Sequence, residues 1–212
     1  AWLTVNKKIG IDTGIGHHLG NAIDAPVMVL RSSIGNRSLG WDLLPPGTPR
    51  YSHDEKEYPG YGETYPSKKD QSKIVPFKEG ETLGWYAGKQ YDDCFNAAKD
   101  VLANFDKNFP MWQGRGYEVA GFVWWQGHKD GGNPVHRANY EKNLVQLINT
   151  LRSEFDARKA PFIVGTVGFG GFEGMGDNYK EIAAAQLAVS DYSKYPQFKG
   201  NVKTFETRGF WK

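Results

Sequence analysis

Apolar residues along this chain fall in short continuous runs that alternate with longer stripes at helical spacing. Val27, Met28, Val29 and Leu30 follow Pro26 with no polar residue among them. Residues 118–125 (EVAGFVWW) and 162–169 (FIVGTVGF, after Pro161) repeat the feature, and residues 201–205 (NVKTF) are a shorter version. A run without alternation suits a strand buried on both faces, as in a parallel sheet. Between the runs the period changes. Tyr86, Tyr91, Phe95, Ala98, Leu102 and Phe105 share one face of a helix from about Leu83 to Asn108, which Pro110 stops. Asn133 and Pro134 open another helix, whose stripe is Tyr140, Leu144, Leu147, Ile148 and Leu151. A further one carries Ile182, Ala185 and Val189 behind a cap at Asp177 or Asn178. Residues 13–25 form a short helix ending near Asp24.

Helix and strand therefore alternate. This order predicts an α/β fold with a parallel sheet covered by helices on both faces, in one domain spanning residues 1–212. Right-handed crossovers place every strand's C-terminal end on one rim, where ligands bind. The rim gathers residues 32–38, 126–130, 168–174 and the stretch after Phe205. Residues 40–80, rich in Pro, Gly, Tyr and charge, show no helical period. They are expected to be a structureless functional loop or an insertion.

Composition narrows the partners. Lys plus Arg number 26 against 24 Asp plus Glu, which argues for neither a nucleic-acid nor a membrane-surface partner. No apolar run approaches the roughly 20 residues of a membrane span. Aromatics make up 14% of the chain, which fits a carbohydrate-binding surface but fits an aromatic core at least as well. The one cysteine, Cys94, excludes an internal disulfide and is expected on the buried face of its helix. His17, His18, His53 and His136 match no metal-binding spacing, so no metal is expected. The glycine cluster at residues 165–176 lacks the frame of a phosphate loop and is expected to form a flexible wall of the cleft. No cofactor is implied, and the oligomeric state is left open.

Two rim segments can carry chemistry. In residues 31–38 (RSSIGNRS), Gly35 at a strand end would let a backbone N–H face an oxyanion, although an ordinary turn is the simpler reading of that segment alone. Ser32 and Ser33 lack the Gly-x-Ser-x-Gly frame of a nucleophile. In residues 121–130 (GFVWWQGHKD), polar groups arrive directly after a strongly apolar strand. Gln126 offers an amide donor and Gly127 permits close backbone approach, while His128 and Asp130 can organise a hydrogen-bond network. A solvated loop is the alternative; the position on the rim favours function.

These residues resemble the sialate O-acetylesterase-like carbohydrate esterases of the SGNH hydrolase superfamily. Residues 8–47 are similar to that family's helix, second strand and second conserved block, and GFVWWQGHKD to its third block, W-x-Q-G-E-x-D. The resemblance implies a flavodoxin-like three-layer α/β/α sandwich and a site in which Gly35 and Gln126 form the oxyanion hole. Asn36, Gly127, His128 and Asp130 would support it, with His128 standing where the family has Glu. The implied reaction is serine-based acyl transfer on an acylated sugar, typically an acetyl ester, and implies secretion or a periplasmic location. The family's Gly-Asp-Ser or Gly-Gln-Ser nucleophile block and its base histidine do not occur here. They are expected before Ala1 and after Lys212, making this a partial domain, incomplete at both ends and inactive alone. A non-catalytic carbohydrate-binding or assembly domain on the same fold is the competing expectation.

Overall fold

A computed structural model describes residues 10–211. The chain divides into two compact units, Ala1–Ile34 and Gly35–Lys212. The first contains α1 (Ile11–Ala22) followed by an extended segment. The strand expected at residues 26–30 is not formed: Met28 and Leu30 are 40% and 41% exposed and the segment joins no ladder. An extended run becomes a strand only when neighbours take its N–H and C=O groups, and no described residue does so here.

The second unit opens with two small hairpins inside the stretch expected to be structureless. β1 (Tyr51–His53) pairs with β2 (Lys56–Tyr58), and β3 (Glu63–Thr64) with β4 (Val75–Pro76). Asp54 and Glu55 both take positive φ, the two-residue turn whose twist matches an antiparallel pair. Tyr51 stacks on its partner Tyr58 at 5.5 Å. These ladders replace the hydrophobic period that the segment lacks, which is why the pattern missed them.

The helix expected from Leu83 starts later, as α2 (Lys89–Ala103), with α3 (Phe105–Asn108) following. Gly88 holds φ +99, and a Cβ there would lie 2.3 Å from the Tyr61 ring, so the chain turns at Gly88 before the helix can begin. Tyr91 and Cys94 face inward from α2 as expected, and Gln90 donates to Cys94 Sγ.

The centre is a parallel sheet in the order β5 (Phe122–Trp124), β6 (Phe162–Gly165), β7 (Val202–Phe205). Between β5 and β6 lie α4 (His128–Gly131) and α5 (Pro134–Glu154); α6 (Asp177–Ala188) leads toward β7. Asn133 caps α5, accepting from the N–H groups of Val135 and His136. The predicted stripe on α5 is wholly internal: Tyr140, Leu144, Leu147 and Ile148 are 0% exposed and Leu151 is 2%. With Trp124, Phe162, Val164 and Val202 from the sheet and Ile182 and Val189 from the α6 region, these residues make one core. The cap expected at Asp177 or Asn178 is absent. Gly176 precedes α6, while Asp177 pairs with Lys180 and Asn178 donates to the Gly131 carbonyl.

The sheet is buried on one face only. Val123, Ile163 and Phe205 are 47%, 36% and 54% exposed, whereas their neighbours along each strand are buried or half-buried. Among the described residues the alternating side chains of these short strands turn one set to the core and the other to the open face. No described helix is long and apolar enough to cross a membrane.

Truncating the two faces should separate them. Ile148→Ala is expected to cost about 2–5 kcal/mol in urea unfolding, and Ile163→Ala less than about 1 kcal/mol. Equal losses would mean that the open face is covered in solution.

Candidate functional site

β5 ends at Trp124, and four residues later the chain enters α4. Gly127 makes this possible: at φ +144, a Cβ would lie 2.8 Å from side-chain carbons of both Val167 and Ile182. The backbone of this turn thus lies directly against the exit of β6 and the inner face of α6. Three residues on sits Asp130, with 0% exposure.

Asp130 draws donors from a segment some 90 positions away. Its Oδ2 accepts from Leu39 N at 2.9 Å and its Oδ1 from Gly40 N at 2.8 Å. Gln126 Nε2 donates to Oδ2 at 2.6 Å. The loop so captured is itself closed by Asp42, whose Oδ2 accepts from both the backbone and the hydroxyl of Ser38. Gly40 is required for the approach, since a Cβ would fall 2.5 Å from the His136 ring.

Gln126 is the pivot. Besides Asp130, its Nε2 donates to the Arg37 carbonyl at 2.8 Å. Its backbone carbonyl accepts from Gln186 Nε2 at 2.6 Å, and Tyr140 OH lies 3.0 Å from both that carbonyl and Gln126 Oε1. Gln186 completes the circuit by accepting from Val167 N at 2.7 Å. Both amide hydrogens of Gln126 are therefore engaged, where a spare donor was expected. Donation to an oxyanion requires the release of one. The bond to the Asp130 carboxylate is charge-assisted, so the Arg37 carbonyl is the partner to give up.

Burial pushes the Asp130 carboxyl up to about 6, against the pull of Gln126, Leu39 and Gly40 in the other direction. Burial also drives His136 down to about 4. The two groups lie close, with His136 Nδ1 3.7 Å from Asp130 Oδ1, too long for a hydrogen bond. Tyr140 is raised as well, chiefly by its complete burial.

The remaining candidates flank this centre. Gly35 and Asn36 are exposed on the approach to Arg37, Asn36 in the left-handed region at φ 61. A Cβ at Gly35 would meet nothing within 4 Å, so packing does not demand glycine there. His128 is exposed, with Nδ1 2.8 Å from Tyr179 OH. The carbonyl of Arg37 brings the Gly35–Asn36 segment to Gln126. Two recesses, of about 330 and 440 Å³, are lined by other residues.

Residues 64–204 match the carbohydrate esterase family described as sialic acid-specific acetylesterase. The chain belongs to this family. No curated protein and no solved structure matches it. The matched span of the acetylesterase family contains Gln126, Gly127, His128 and Asp130, whereas Gly35 and Asn36 lie outside it. Sequence reasoning missed three residues of this centre. Tyr140 was read only as core, Gln186 not at all, and His136 only as a histidine that matches no metal-binding spacing. A legible signal existed for Gln186, a polar residue between Ile182 and Val189 on the apolar face of α6.

Two consequences are measurable. Asp130→Asn must turn an amide NH₂ toward one of the present donors, and is expected to cost about 2 kcal/mol in urea unfolding at pH 7. For pH dependence the signs oppose. A raised Asp130 contributes stability below about pH 4 that is lost as pH rises through 6. A depressed His136 contributes stability above its ordinary value of 6.5 that is lost as pH falls through 4. His136→Gln removes only the second effect, so the variant should lose more stability relative to the parent at pH 7 than at pH 4, by up to about 3 kcal/mol. A pH-independent cost would refute the burial account of His136.

Proposed function

We propose that this protein is the oxyanion-side portion of an SGNH-type carbohydrate O-acetylesterase, acting on acetyl esters of sugars by acyl transfer. The observation that carries the reading is the junction at Gln126, where the third conserved block and the segment bearing Gly35 meet through the Arg37 carbonyl. In this reading Gln126 exchanges that carbonyl for the oxygen on which negative charge develops, while Asp130 keeps the amide aimed. A backbone N–H at Gly35 supplies the second donor, with Asn36 beside it. Gly127 allows the turn and His128 borders the sugar. Preorganised donors of this kind stabilise the tetrahedral intermediate without reorganising as charge appears.

The serine nucleophile and the histidine base are not among the residues gathered at Gln126. We place them outside this group of residues, and expect residues 1–212 alone to leave esters intact. A non-catalytic carbohydrate-binding role on the same fold draws support from one observation, the full engagement of the Gln126 amide.

Turnover separates the two. A polypeptide that includes the nucleophile and base should hydrolyse p-nitrophenyl acetate and acetylated xylan, and residues 1–212 should not. In the active form Gln126→Ala is expected to lower kcat by about 10²–10³. Gly35→Ala, which meets no steric obstacle, should leave the unfolding midpoint unchanged. An unaltered rate in Gln126→Ala would remove the amide from the oxyanion hole, and sugar binding with no turnover by the complete polypeptide would establish the binding role.

A further inference from the structure

Beside the Gln126 turn stands a group of rings of which only His128 belongs to either block. His128 stacks on Tyr179 with centroids 5.7 Å apart and planes 16° from parallel. Phe169 meets the edge of His128 at 5.2 Å and lies 5.2 Å from Tyr179. Trp211 closes the corner against Phe169 at 5.8 Å and 76°. The four rings come from α4, the glycine-rich segment after β6, α6 and the stretch after β7. They converge on the rim where Gly127 touches Val167. Close packing seats them: a Cβ at Gly131 would lie 2.5 Å from the Tyr179 ring.

Phe169 and Tyr179 are partly buried against the core, and the outer side of the corner is open. Trp211 is 53% exposed and His128 is also exposed. Tyr179 OH occupies His128 Nδ1, which orients the imidazole and leaves Nε2 as the nitrogen available to a ligand. The aromatics of residues 40–80 are differently disposed. Tyr51 stacks on Tyr58, Trp41 on Tyr65, and Phe77 packs against Tyr86 just beyond, so those rings face one another.

A pyranose ring presents an apolar C–H face and a rim of hydroxyls. An aromatic surface with a few fixed polar atoms at its edge complements both features, and its contact area carries little conformational cost. Resting on the reading of this rim as the esterase site, we propose that His128, Phe169, Tyr179 and Trp211 form the subsite that holds the sugar ring of the substrate. In it Trp211 and Phe169 supply the stacking surface. His128 Nε2 meets a ring hydroxyl, and His128 in the place of the family's Glu is a specificity-determining residue. An oriented imidazole offers a flat face and a hydrogen-bonding nitrogen where a carboxylate would offer only acceptors and a charge.

Binding of the deacetylated sugars tests this without requiring turnover. Xylotriose and N-acetylneuraminic acid, titrated separately into the protein and followed by NMR, should shift the Trp211 indole and His128 ring resonances. The sugar that does so identifies which pyranose the corner takes. Trp211→Ala should raise Kd about tenfold, one ring's worth of stacking, and Trp211→Phe should restore most of the affinity. Tyr179→Phe, which keeps the ring and removes the hydroxyl holding His128, should raise Kd about threefold, a fraction of one hydrogen bond. Saturating binding that leaves both ring resonances unmoved, or no binding of either sugar, overturns the subsite. The esterase reading fails separately, if sugar binds at this corner and the complete polypeptide cleaves no ester.

Discussion

A carboxylate removed from water must find donors inside the protein, and for Asp130 those donors tie together two distant parts of the chain. An unpaired buried charge costs several kcal/mol, so the arrangement persists only while the Leu39, Gly40 and Gln126 donors all point inward. The loop before residue 43 is therefore held by an ion it does not contain. Within that loop Asp42 repeats the device on a smaller scale, gathering the Ser38 backbone and hydroxyl. Gly40 and Gly127 are the two positions where a side chain would force these segments apart.

Around this anchor polar groups of three helices and a strand exit form one network, beside which buried His136 Nδ1 and Arg37 Nε have no hydrogen-bond partner. Gln186 donates to Gln126 O and to Tyr140 OH and accepts from Val167 N, while Trp124 Nε1 reaches Tyr140 OH. Satisfied networks of this kind rigidify a site, because any member that moves leaves a buried group unpaired. In the proposed reading that rigidity serves the oxyanion. The same reading requires the Gln126 amide to exchange one partner for another rather than simply receive a ligand.

The rim is asymmetric. On one side lies the polar junction of Gln126 with the Gly35 segment, and on the other the aromatic corner around His128. The family match contains Gln126, His128, Phe169 and Tyr179, and stops short of both Gly35 and Trp211. The open sheet face carrying Val123, Ile163 and Phe205 is remote in role from both, since alternate residues of a strand face opposite ways.

How much could be read in advance follows from the range of each signal. The α5 stripe, the three strands at 122, 162 and 202, and the polar turn after Trp124 were legible, because periodicity and abrupt changes of polarity are local properties of the chain. The same local reading misplaced the run at 26–30 and passed over the hairpins of residues 40–80. Whether an extended segment becomes a strand depends on partners that the run itself does not specify. Resemblance in the third block singled out Gln126 and Asp130, but not what they touch. The sequence by itself determined an α/β chain with a polar turn at a strand end and a family motif there. Only the tertiary structure decided that Asp130 would be a buried anchor, that both hydrogens of Gln126 would be occupied, and that Tyr140 and Gln186 would join them. Those outcomes rest on hydrogen bonds spanning tens of residues, and such a bond exists only once packing has brought its two ends within 3 Å or so of each other.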